Sequence, residues 1–271
     1  MRVNFKRMKK QLGQNFIFDT NLLAAIASDA QIDGKSVVEI GMGAGTLTEQ
    51  LAMRAAKVVG FEIDLDLKPV LEQRLARFPN VTARFCDFMK CDMKELEEEL
   101  DGGYKVVANL PYYITTPIVC RFLDEAKKVG AMLVMVQEEV AERFCAQPDT
   151  KEYGAITVAL KTAAEVKIVR RVGRKMFVPA PNVDSAVVSI VFDDEKRGGV
   201  GREALRSVVR AAFSMRRKTL LNNLSAFFKA DKAVLKDMLE KLGFSPDVRG
   251  ESLSPKDFLR LASELEGLKA V

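Results

Sequence analysis

Val37-Val38-Glu39-Ile40-Gly41-Met42-Gly43-Ala44-Gly45-Thr46 decides the fold. Its first four residues are a short apolar run broken by one acid, which reads as a buried strand. Glycines at 41, 43 and 45 then make a turn in which the backbone bends tightly and can approach a ligand closely. From Thr46 to Ala56, Leu47 and Leu51 fall on one face of an expected helix. Strand, glycine turn and helix in that order open a unit that stacks parallel strands with helices between them.

Working outward, the same alternation repeats. Val58–Glu62 reads as a second strand, and Asp66–Arg77 as a helix carrying Leu67, Leu71 and Leu75 four apart. Val81–Cys86, Val106–Asn109 and Ala131–Val136 read as third, fourth and fifth strands, the last apolar throughout, as a central parallel strand should be. This repetition predicts an α/β fold with a doubly wound, mostly parallel sheet. Val166–Val172 and Ser185–Phe192 look like further strands, joined through the Pro-rich Val178-Pro179-Ala180-Pro181, and suit an antiparallel hairpin closing the sheet edge. The charged, glycine-rich stretch Asp193–Gly201 then breaks the pattern. We place the domain boundary there, giving residues 1–195 and 196–271. Beyond it the apolar spacing predicts helices at Glu203–Phe213, Lys218–Phe228, Lys232–Leu242 and Pro255–Leu265, a small all-helical domain. Ser254 as N-cap with Pro255 in the first turn marks the last of these.

Composition narrows the chemistry. No apolar run approaches the roughly 18 residues of a membrane span. The basic Met1–Lys10 has no apolar core behind it and so does not read as a secretory signal, which points to the cytoplasm. Cys86, Cys91, Cys120 and Cys145 are scattered with no CxxC pair, so neither a disulfide framework nor a zinc site is expected. The chain has no histidine, which removes Ser-His and Cys-His activation and the commonest metal ligand. Residues 1–197 hold 28 bases and 28 acids, whereas residues 198–271 hold 14 and 9. Met1–Lys10, Lys161–Lys175 and Gly201–Lys218 are three basic patches that suit a polyanion.

Three further residues give the glycine turn a function. Glu62 ends the second strand 21 residues after Gly41, the spacing at which an acid takes ribose hydroxyls of an adenosine-bearing cofactor. Asp87 follows the third strand, where a carboxylate can accept from an adenine amine. These features alone fit a nicotinamide cofactor as well as S-adenosylmethionine. Asn109-Leu110-Pro111-Tyr112, at the carboxyl end of the fourth strand, separates them, because it resembles the Asn/Asp-Pro-Pro-Tyr type motif of amino-methyltransferases. An exocyclic adenine amine is a poor nucleophile, since its lone pair is delocalised into the ring. The Asn109 side-chain oxygen and the Leu110 carbonyl can bind its two N–H groups and favour a more tetrahedral nitrogen. Pro111 stiffens the turn and Tyr112 offers a face for an extruded base.

These motifs together resemble the ribosomal RNA adenine dimethyltransferase family, the KsgA type. The likeness runs through Leu12-Gly13-Gln14-Asn15-Phe16-Ile17, residues 37–48, 60–64, 86–90 and 109–118, then Phe177–Ser185 and Phe213–Leu220, in the family's order. It implies a Rossmann-like methyltransferase domain with a helical C-terminal domain, using S-adenosyl-L-methionine and no metal. By position it implies that Asn15, Ile17, Gly41, Gly43, Glu62, Asp87 and Asn109 hold the cofactor. Asn109, Leu110, Pro111 and Tyr112 would hold the target amine and base, with Phe177 stacking opposite Tyr112. Arg202, Arg206 and Arg210, four apart on one helical face, with Arg216, Arg217 and Lys218, would bind RNA. The implied substrate is a pair of adjacent adenosines in a hairpin near the 3′ end of small-subunit ribosomal RNA, within an immature subunit. A monomer is the default for an enzyme acting on so large a particle. Met42 stands where the family usually has Pro and Ile17 where it usually has Leu. We expect altered loop stiffness and retained binding. Competing readings are the related large-subunit resistance methyltransferase, a non-catalytic assembly factor on the same fold, and a nicotinamide-dependent dehydrogenase.

Overall fold

The computed structural model describes residues 15–193, 195–196 and 201–266. The basic stretch 1–10 and the leading half of the 12–17 element lie outside them. Spatially the chain forms two compact units. The first runs to Ala141 and resumes at Lys167–Val191; the second takes Glu142–Val166 and everything from Phe192 onward.

A seven-stranded sheet organises the first unit. In chain order its strands are β2 (Ser36–Ile40), β3 (Lys57–Phe61), β4 (Val81–Arg84), β5 (Tyr104–Asn109), β6 (Val129–Gln137), β7 (Ala164–Val172) and β9 (Ser185–Phe192). They lie in the order β4-β3-β2-β5-β6-β9-β7. The β2–β3, β3–β4, β2–β5 and β5–β6 pairs are parallel, and β9 enters antiparallel to β6 with Gln137 opposite Ser185. The chain therefore winds outward from β2 through β3 to β4, then crosses to β5 on β2's other side. That reversal opens a crevice at the carboxyl ends of β2 and β5. The expected strands all form, and the closing antiparallel element is present, with β9 inside the sheet and β7 at its edge.

Branched side chains drive these strands. Val37, Val38, Val58, Val59, Val106 and Val107 are fully buried, covered on both faces by helices. Each buried valine contributes about 1.5–3 kcal/mol relative to exposure. Helix α1 (Thr20–Asp29), capped by Asp19, packs Leu23 and Ile26 with Leu47 and Leu51 of α2 (Thr46–Ala52) on one side of the sheet. Two helices absent from the sequence reading complete the crossovers, α4 (Met93–Glu99) and α5 (Thr115–Glu125), and a third, α1, precedes β2. A further pair, β1 (Phe16–Ile17) with β8 (Phe177–Val178), is antiparallel, with Ile17 opposite Phe177.

The second unit is helical around one apolar core. Helices α8 (Arg202–Ala212), α9 (Leu220–Phe228), α10 (Lys232–Lys241) and α11 (Pro255–Glu264) bury Val208, Val209, Leu224, Leu239, Phe258 and Leu261 together. Ser254 caps α11 as expected, accepting from Asp257 N while Asp257 bonds back to Ser254 N. The observed division departs from the expected boundary at 196: it falls at Phe192, and it also moves an internal segment. The segment Glu142–Val166, with α7 (Ala155–Lys161), joins the helical unit. Tyr153 and Val158 are buried in its core, and the Tyr153 hydroxyl donates to Leu253 O at 2.7 Å. No break in composition marks either end of this insertion.

Candidate active site at the switch point

The site assembles from strand ends. The chain leaves β2 into the glycine turn, β3 into Glu62, β4 toward Asp87 and β5 at Asn109. Gly41, Gly43 and Gly45 all have positive φ, at 76°, 57° and 75°. At Gly43 a Cβ would lie 2.8 Å from the Phe16 ring, so a side chain there would have to push that ring aside. A Cβ on Gly41 would lie 3.5 Å from the Pro111 ring, which brings the turn against the Asn109–Tyr112 motif.

Two buried acids lie beneath this turn. Glu62 accepts from Gly43 N and Asp64 N, both at 2.8 Å, so the end of β3 is tied directly to the glycine turn. Burial raises its carboxyl above the ordinary range, and the backbone donors pull it back. Glu39, 1% exposed, has no partner for its Oε2 among the described residues. Burial, partly offset by the neighbouring Thr48 hydroxyl and reinforced by Glu62, pushes it up to about 8. Asp87 caps a short turn by accepting from Met89 N at 2.9 Å.

Asn109 is oriented by the chain itself. Its Nδ2 donates to Asn15 O at 3.0 Å, and its Oδ1 is buried without a partner among the described residues. Pro111 holds φ at −59°, and its carbonyl accepts from Ile114 N and from the Thr115 hydroxyl. The Tyr112 phenol shares a 2.7 Å hydrogen bond with Ser185 Oγ. One cavity is lined by Asn15, Ile17, Gly41, Gly43, Glu62, Asp87, Asn109, Leu110, Pro111 and Tyr112. The structure thus brings together every residue expected at the site except Phe177. Glu39, Thr46 and Tyr113 also line the cavity and were not singled out in the sequence. The signal for Glu39 was an acid inside an otherwise apolar strand.

Comparison with known proteins shows the family. Residues 5–266 match the family described as ribosomal RNA adenine dimethylase. The chain belongs to the ribosomal RNA adenine dimethylase family. Ribosomal RNA small subunit methyltransferase A of Bacillus mycoides is 47% identical over 265 residues, covering 95% of this chain and 91% of that protein. A dimethyladenosine transferase from Plasmodium falciparum superposes with a TM-score of 0.80 at 26% identity, covering 93% of this chain and 97% of the other. The 23S ribosomal RNA methyltransferase ErmE gives 0.71 at 28% identity, covering 93% and 100%. As a member of this family the protein is a methyltransferase acting on ribosomal RNA adenines, and S-adenosylmethionine is its methyl donor.

The cavity fits that donor on three counts: an acid at the end of β3, a wall of glycines with positive φ, and an orphaned buried amide oxygen beside them. The departure from the family at Met42 is accommodated locally. Met42 is buried with Phe16 and Leu71, and its sulfur fills the space a Cβ on Gly60 would need, at 2.5 Å. Phe177 is placed differently from the other expected residues. It is 2% exposed and packs in the core with Ile17, Leu23 and Val187 rather than lining the cavity. Its backbone pairs with Ile17 of β1.

Arg206, Arg210, Arg217 and Lys218 are exposed, and Arg202 is half-buried. Arg216 is engaged internally: it pairs with Glu251 at 2.7 Å and donates to Lys151 O at 2.8 Å, tying loops of the helical unit together. The 161–175 patch is likewise largely engaged. Lys161 donates to the carbonyls of Cys145 and Ala146, Arg170 pairs with Asp29, Arg171 with Glu138, and Arg174 donates to Asn182 O.

Proposed function

We propose that the protein dimethylates the N6 amines of two adjacent adenosines in a hairpin near the 3′ end of small-subunit ribosomal RNA. Its substrate is the immature small ribosomal subunit, and it works as a cytoplasmic monomer. The observation that carries this reading is Asn109, whose Oδ1 is left buried and unpartnered at the wall of the cavity. A buried acceptor without a donor costs about 1–3 kcal/mol, and an amine N–H relieves that cost. The small-subunit assignment draws support from the 47% identical relative of that name. Among the described residues no helix is long and apolar enough to cross a membrane.

When bound, S-adenosylmethionine supplies a methyl group on a positively charged sulfur, an already activated leaving group. The chain's own residues do the positioning. Glu62 holds the ribose hydroxyls with its remaining lone pairs, and Asp87 the adenine amine. Asn15, Ile17, Gly41 and Gly43 shape the wall around the rest of the donor. Asn109 Oδ1 and the Leu110 carbonyl accept the two N–H groups of the target amine, Pro111 fixes these acceptors, and Tyr112 stacks on the base. With no histidine in the chain, the amine proton held at Asn109 Oδ1 is surrendered to water. Arg202, Arg206, Arg210, Arg217 and Lys218 hold phosphates and position the hairpin, which is recognised by shape.

The test is methyl incorporation from labelled S-adenosylmethionine into unmethylated small-subunit particles, large-subunit RNA and unrelated DNA. Dimethyladenosine in the small-subunit sample alone is expected. Dimethyladenosine in large-subunit RNA would contradict the proposed substrate.

A further inference from the structure

We infer that Ser185 is a positioning residue for methyl transfer: its buried hydroxyl anchors the Tyr112 phenol and so fixes the ring face offered to the target base. This rests on the reading above that Tyr112 is the stacking platform.

The argument starts from what holds each partner. Tyr112 opens a short 3-10 turn, Tyr112–Ile114, directly after Pro111. The backbone of that turn is pinned, because Pro111 O accepts from Ile114 N and from the Thr115 hydroxyl. A pinned backbone still leaves the ring free to rotate about two side-chain bonds. The 2.7 Å hydrogen bond to Ser185 Oγ holds the far end of the ring and removes that freedom. Burial raises the phenol above its ordinary value, so it stays protonated and the bond persists through neutral pH.

Ser185 is well placed to act as an anchor. It is 0% exposed and is the first residue of β9, in register with Gln137 of β6. The residue before it closes the preceding loop. The Asp184 carboxylate accepts from Arg174 N at 2.8 Å, and the Asp184 carbonyl accepts from Glu138 N at 3.0 Å. The Asp184-Ser185 pair thereby acquires a role beyond packing: Asp184 fixes where β9 starts, and Ser185 transmits that rigidity to Tyr112. Holding the ring in advance removes an ordering cost that the base would otherwise meet on binding.

The test is a double-mutant cycle on kcat at saturating donor and RNA, with donor affinity by calorimetry and thermal midpoints alongside. Ser185→Ala and Tyr112→Phe each remove one end of the bond while leaving the ring. We expect each to lower kcat about 3- to 10-fold, the scale of one neutral hydrogen bond. The double variant should be no slower than the slower single, with donor affinity held within about twofold, because both changes remove the same bond. Tyr112→Ala removes the ring and should cost about 10- to 100-fold. Wild-type rates in both singles, with Tyr112→Ala still impaired, would overturn the anchor and leave the stacking reading in place. A double variant slowed by the product of the singles would also overturn it. So would Ser185→Ala weakening donor affinity as much as turnover while Tyr112→Phe does neither. A wild-type rate in Tyr112→Ala would remove the stacking reading itself.

Discussion

Asn109 divides one amide between two tasks. Its nitrogen is committed to the Asn15 carbonyl, which fixes the side chain's orientation, and its oxygen is buried without a partner among the described residues. The backbone of the N-terminal strand therefore sets the direction of a side chain that lies on β5. Glu39 makes a different prediction at the same scale. Its folded pKa, about 8, lies above the ordinary 4.5 that it regains on unfolding. The folded state thus binds the proton more tightly. The stability this contributes is fully present below about pH 4.5 and is lost as pH rises through about 8. Glu39→Gln should remove that component. In thermal melts without ligand, wild type and variant should match near the acid end, and the variant should be the more stable above about pH 8. Equal slopes for both proteins across that range would show that Glu39 does not carry the dependence.

At the scale of elements, the glycine turn and β1 form one device. Gly43 N is held by Glu62, and the space above Gly43 is filled by Phe16. Thr46 at the start of α2 donates its hydroxyl to Ile17 O at 2.8 Å. Gly43→Ala puts a methyl into the Phe16 ring at a backbone angle that costs about 1–2 kcal/mol for an L-residue. We expect about tenfold weaker donor binding, measured by calorimetry, and a lowered melting temperature. Donor affinity equal to wild type would contradict the tie between turn and strand. The helical unit yields a contrast between arginines. Arg216→Ala should lower that unit's stability by about 1 kcal/mol, because it releases Glu251 and a backbone carbonyl. Arg210→Ala should leave stability alone, weaken RNA binding and reduce its salt dependence by about one counterion. The reverse pattern would exchange their roles. This contrast also shows where sequence reading stops. A stripe of arginines reports charge and spacing, whereas the partner that engages Arg216 lies 35 residues further along, at Glu251. Phe177 makes the same point, since it is buried with Ile17 and Leu23, which lie far from it in the chain.

For the whole molecule, the sheet was legible from valine-rich runs punctuated by glycine, because a strand buried on both faces leaves a local signal. The cavity was legible too, since eight of the expected residues sit at or just past the carboxyl ends of β2, β3, β4 and β5, whose positions follow from the winding order, while Asn15 and Ile17 reach it from outside that sheet. The division into units was legible only at Phe192. The transfer of Glu142–Val166 to the helical unit depends on contacts such as Tyr153 with Leu253, about a hundred residues away, which no local pattern encodes. The central claim is that the switch-point cavity transfers methyl groups to adenine through the acceptor at Asn109. The most direct measurement is single-turnover methyl transfer to small-subunit particles by wild type and Asn109→Ala, with product nucleosides read by mass spectrometry. We predict dimethyladenosine from wild type and a rate about 100- to 1,000-fold lower from the variant, whose fold is retained. Near-normal dimethyladenosine from Asn109→Ala would contradict the account.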